Sequence, residues 1–169
     1  MTPSPAGRRF PKGEGGFSLV EMLVALAILA VLAAVAVPYS EAVVKRDKET
    51  ELRLDLREMR EAIDRFHEDW QNQKLTSLGE DVSRDGYPKN LGVLVRGLAG
   101  ATAGDPPLKY LRRVPENPFG DPSVPPDQQW ALRGYRDAPD SRTWGGRDVY
   151  DVYCPGDGTA MDGSPYRDW

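Results

Sequence analysis

Between Gly16 and Ser40 lies a run of 23 residues, FSLVEMLVALAILAVLAAVAVPY (17–39), in which Glu21 is the only charged side chain. No other feature restricts the chain as much. As a helix rising about 1.5 Å per residue it reaches roughly 34 Å, enough for a hydrocarbon core of roughly 30 Å. The residues before it, MTPSPAGRRFPKGEGG (1–16), are polar and rich in proline and glycine, with Arg8, Arg9 and Lys12 against Glu14. Such a segment is expected to be disordered and, by its positive charge, to stay on the cytoplasmic side of a membrane.

Three readings compete for the apolar run. A secretory signal peptide has a shorter apolar core followed by a small-residue cleavage site, which Ala33-Ala34-Val35-Ala36 imitates. A plain signal anchor needs only length and apolarity. Neither accounts for Glu21. A carboxylate at the centre of a membrane helix costs about 2.5–3.5 kcal/mol on insertion scales, and such residues are normally paired or functional. The segment offers one obvious partner, a new α-amine at Phe17, created if the chain is cut after Gly16.

Gly16-Phe17-Ser18-Leu19-Val20-Glu21, followed by an apolar run to Pro38, resembles the class III signal of type IV pilins and type II secretion pseudopilins. The resemblance covers residues 15–39 and implies four things. A prepilin peptidase at the inner membrane cuts between Gly16 and Phe17 and N-methylates Phe17. Residues 17–39 are stored as a transmembrane helix and later pack in a filament core. Glu21 of one subunit neutralises the Phe17 amine of its neighbour. The C-terminal region is periplasmic. Burying such a pair would fix the axial register, as a buried polar residue does in a coiled coil.

Pro38 removes one helical hydrogen bond and kinks or breaks a helix. It reads either as a break at the membrane edge or as a bend used in assembly. Residues 40–75 then continue as an amphipathic helix. Leu52, Leu56, Met59, Ile63, Phe66 and Trp70 step by 4, 3, 4, 3 and 4, one apolar stripe with charged residues around it. The stripe is shorter than the three to four heptads of a coiled coil, so packing on a sheet is favoured over a helix seam. His67, at its edge, reads as a solvated histidine.

Residues 76–169 read as a globular region with long loops. Asp85-Gly86-Tyr87-Pro88 is a turn, Leu91, Leu94, Val95 and Leu98 suggest a short helix, and Gly97 to Pro107 is a loop. Tyr110-Leu111-Arg112-Arg113-Val114-Pro115-Glu116-Asn117-Pro118-Phe119-Gly120 resembles the major pseudopilin pattern, a tyrosine-leucine segment before a proline-x-x-proline-aromatic-glycine turn. Asp121–Gln129 looks like an added loop. Strands are expected at Trp130–Arg136 and Arg147–Cys154, joined by the Pro/Gly-rich Asp137–Gly146. Trp130, Tyr135, Tyr150 and Tyr153 are expected to supply core area. The fold class is therefore α+β, type IV pilin-like: a long N-terminal helix on a small antiparallel sheet.

The tail CPGDGTAMDGSPYRDW carries Asp157-Gly158 and Asp162-Gly163. Taken alone these are turn signals. The resemblance implies a calcium loop after a tyrosine-rich strand, with Asp157 and Asp162 as the carboxylate ligands and carbonyls near Cys154. The tail departs from the family in being short and in having cysteine where serine is frequent. Turns and a calcium site both stand at this point.

Charge and composition exclude other classes. Acidic residues outnumber basic ones 26 to 22, which argues against a nucleic-acid binder. One cysteine excludes an intrachain disulfide, and Cys154 has no basic sequence neighbour to activate it. One histidine, no nucleophile elbow and no zinc spacing leave nothing for an enzyme. A phosphate-binding lysine loop is absent too, so any energy comes from partners. The resemblance is to the major pseudopilin of a type II secretion system, a structural subunit that assembles with itself, with other pseudopilins and with an inner-membrane platform. A type IV pilin or minor pseudopilin is the alternative. Surface pilins usually close a C-terminal loop with two cysteines, and minor tip subunits often lack the glutamate.

Overall fold

Helix α1 runs Leu19–Gln71 and takes in both the apolar run and the amphipathic stretch. The computed structural model describes residues 16–75, 80–100 and 106–169, with backbone alone at 35–38. The leader reading therefore lies outside the described residues except at Gly16, as do parts of the expected loops. Pro38 sits inside α1, so the helix does not end there and the reading of a simple break is set aside. The chain divides into two compact units, Met1–Ala42 and Val43–Trp169.

In the first unit, every large apolar side chain from Phe17 to Leu32 is exposed. Part of α1 here is long and apolar enough to cross a membrane. Among the described residues of this unit, none supplies a core for it.

In the second unit the apolar stripe is buried as its spacing predicts. Leu52, Leu56, Met59, Ile63 and Phe66 are at most 2 % exposed. They share one core cluster with Leu91, Val93 and Leu94 and with Val149 and Val152. The stripe thus packs on the chain's own short helix and sheet.

Helix α1 stops four residues short of the expected 75. Gln73 adopts φ +55°, its N–H donates to Trp70 O (3.0 Å), and the Lys74 N–H donates to Asp69 O (2.9 Å). This paired bonding is a Schellman ending, which normally has glycine at the left-handed position. A glutamine there gave no sequence signal. Leu75 leaves the helix and bridges to Gly100.

Helix α2, Leu91–Arg96, is capped by Asn90, whose side chain accepts from Val93 N–H. It ends at Gly97, φ +78°, where a Cβ would lie 2.6 Å from Leu108 O. Both Tyr110 and Leu111 donate N–H to Leu94 O, fixing the tyrosine-leucine segment on α2.

The sheet has two antiparallel strands, β1 (Ala131–Arg133) and β2 (Asp151–Tyr153), with Leu132 opposite Val152. Both are much shorter than expected. Side chains divert the ladder: Gly134 N–H donates to Asp137 (2.7 Å) and Tyr135 N–H to Asp148 (2.8 Å). Val149 N–H donates to Pro88 O. Trp130 and Tyr153 are in the core as expected. Tyr135 and Tyr150 are not: they are 53 % and 46 % exposed and meet each other and Tyr87 edge-on or stacked. The Asp121–Gln129 loop is tied down through Gln129. Its side chain accepts Asn117 N–H (2.7 Å) and donates to Asp121 O and Val124 O. The architecture is α+β, a long apolar N-terminal helix followed by a small antiparallel sheet, as expected.

Candidate functional site

The N-terminal candidate residues lie around the start of α1. Gly16, Phe17 and Ser18 precede the helix and are exposed, and among the described residues nothing beyond its chain neighbours lies within 4 Å of the place a Gly16 side chain would take. Exposed, non-helical backbone is where proteases cut. The first backbone bond of the helix runs from Met22 N to Ser18 O, 3.1 Å, so Glu21 falls in its first turn. An acidic residue there is favoured by the helix dipole by about 0.3–1 kcal/mol. That is well below the roughly 2.5–3.5 kcal/mol that a carboxylate costs within a membrane helix. A cationic partner remains necessary if this helix is placed in lipid.

The C-terminal candidates are engaged differently. Asp157 is almost fully exposed and pairs with Arg167 (3.0 Å). Asp162 Oδ1 accepts the Ser164 N–H (2.9 Å) and hydroxyl (2.6 Å), and Oδ2 lies 3.5 Å from Arg53. The Ser164 bonds and, to a lesser degree, Arg53 hold the Asp162 carboxyl below the usual carboxylate range. Nearby carbonyls are also used: Gly158 O accepts from Tyr166 N, Ala160 O from Gly163 N, and Thr159 O from Lys45 Nζ (2.8 Å). Calcium needs six to eight oxygens. Among the described residues, no group of three or more His, Cys, Asp or Glu side chains could hold a metal. Asp157, Asp162 and the carbonyls between them are instead engaged by the chain's own donors.

Two residues behave otherwise than their sequence context suggested. His67 is half-buried rather than freely solvated. Its ring stacks on Tyr87 at 4.1 Å and on Trp70 at 5.7 Å. Nδ1 lies 3.2 Å from Gly86 O, which only accepts, so Nδ1 carries the proton and Nε2 accepts from Gln71 Nε2 at 2.7 Å. Cys154 is buried just beyond β2, and burial pushes its thiol pKa up despite the Asn117 amide 3.4 Å away. Burial thus shields this sulfur from solvent.

Sequence reasoning missed a polar line on α1. Arg60 donates to Asp151 (2.7 Å), to Val152 O (2.9 Å) and to Trp169 O (2.7 Å). Glu49 accepts from Met161 N and from Tyr166 Oη, both at 2.9 Å. Lys45, Glu49 and Arg53 recur every fourth residue, and Arg60 lies two turns on. That periodicity was visible, but charge on a helix flank ordinarily marks a solvated face.

No curated protein sequence and no solved structure matches the chain. Residues 11–37 match the prokaryotic N-terminal methylation motif, which is typical of type IV pilin-like proteins, pseudopilins among them.

Proposed function

We propose that the chain is a structural subunit of the type II secretion pseudopilus, the major one. One observation carries this reading. A single carboxylate, Glu21, stands in the first turn of α1, four residues after Phe17, on a stretch whose large apolar side chains from Phe17 to Leu32 are all exposed. The match to the methylation motif over the same residues supports it.

On this reading a prepilin peptidase cuts after Gly16 and methylates the Phe17 amine, which keeps its charge. The helix waits in the inner membrane with its N-terminus cytoplasmic and residues 76–169 periplasmic. During assembly it exchanges lipid for the helices of other copies. Glu21 then meets a neighbour's Phe17 amine and sets the axial step. The role is mechanical rather than catalytic: an assembly platform and its energy source add subunits, and the growing filament pushes exported proteins across the outer membrane.

The test is expression with and without a prepilin peptidase, followed by intact-mass measurement. The expected result is a loss equal to residues 1–16 with a gain of one methyl group, seen only with the peptidase. An unchanged mass in both would sink the proposal.

A further inference from the structure

The C-terminal segment offers a pattern that neither a calcium loop nor free turns would produce. Its acids already have basic neighbours: Asp157 and Asp168 have Arg167, and Asp162 has Arg53. Lys45 takes the Thr159 carbonyl. Glu49 accepts two hydrogen bonds from the segment, and its acceptance of the Tyr166 hydroxyl, on top of burial, pushes that phenol up to about 12. Arg53 lies 3.7 Å over the Trp169 ring, a cation–π arrangement. Tyr166 itself is buried against the Phe119 ring at 4.4 Å.

We infer that residues 155–169 form a strap closed onto α1 by the protein's own side chains, with Lys45, Arg53 and Arg167 holding oxygens that a divalent cation would need. The strap is independent of calcium. An incoming divalent cation would have to compete with Arg167 for Asp157, with Arg53 for Asp162 and with Lys45 for Thr159 O, next to cations that repel its charge. Surface ion pairs hold weakly when isolated. The strap's main fastening is therefore Glu49 on Tyr166 and Met161, with Arg53 over Trp169. This inference concerns the second unit alone and stands whether or not the chain polymerises.

Thermal unfolding of the full chain in detergent micelles, in EGTA and in millimolar CaCl2, tests it. Superimposable melts are expected. A Tm raised by CaCl2 and returned by EGTA overturns the proposal. In parallel, Glu49→Ala and Tyr166→Phe, the latter losing only a hydroxyl, are each expected to lower Tm by about 3–6 °C. Both should speed chymotrypsin cleavage within residues 155–169. If neither variant changes Tm or cleavage, the strap is not what closes this segment.

Discussion

Leu29 and Leu52 stand on one helix, yet the first is 59 % exposed and the second fully buried. From Phe17 to Leu32 the apolar side chains find no cover among the described residues of the first unit, whereas from Leu52 to Phe66 the second unit's own short helix and sheet enclose them. Fully burying one such side chain contributes about 1.5–3 kcal/mol. The second unit therefore carries its stability internally. The described residues of the first contribute no such burial, on a helix long and apolar enough to cross a membrane. Contiguous exposed apolar surface on this scale marks an interaction site. The lesson is that helical continuity and apolar content are shared, and only the completeness of the surrounding core separates the two regions.

The largest effect should come from the single charge in the uncovered region. Breaking a buried ion pair by removing one partner costs about 3–5 kcal/mol, which at its lower end is about a hundredfold in association. Glu21→Ala is therefore expected to reach the membrane in normal amounts while filament yield collapses. Normal filaments from this variant would remove the pairing from the account. Next comes Phe66→Ala in the covered region, expected to lose about 3–5 kcal/mol in denaturant unfolding of the second unit. Leu29→Ala in the same assay should leave the midpoint unmoved, and a shift there would break the contrast between the regions. Arg60→Met is smaller, roughly 1–3 kcal/mol, because it strips donors from two half-buried carbonyls and from Asp151, which retains Arg133.

The smallest effect is a pH dependence. Burial, then Glu51 and Glu58, raise the Asp55 carboxyl to about 6, with Arg113 opposing. A carboxyl raised in the fold binds its proton more tightly folded than unfolded, so this group lowers stability as pH rises from its ordinary value of 3.8 through about 6. Asp55→Asn should therefore raise Tm modestly above pH 6, with the gain vanishing toward pH 4. A constant gain across this range would assign the effect to something other than the ionisation.

Much of this was legible in the chain itself. The apolar run, its lone Glu21 and the stripe from Leu52 to Trp70 are periodic signals that need no tertiary context, and all three reappear in α1. The strands were located but overextended, because Asp137 and Asp148 reach backbone N–H groups that a regular ladder would have used. Side-chain bonds of this kind leave no period. The helix end was missed because Gln73 takes a conformation usually given to glycine. His67 stands at the stripe's edge as read, but its partial cover by Tyr87, from a turn twenty residues later, left no local signal. For Asp162 the partner Arg53 lies more than a hundred residues earlier, as does Lys45 for the nearby Thr159 carbonyl, and no local pattern announces either.

The sealed thiol beside β2 has a practical consequence. Cys154 is the sole cysteine of the chain, it is 1 % exposed, and its proton is held tightly. A maleimide in the buffer can reach it only while the surrounding wall is open. Labelling kinetics at this one sulfur thus act as a stopwatch for opening of the second unit. The clock can be run on molecules in a bilayer, in a micelle or in a polymer without any engineered probe.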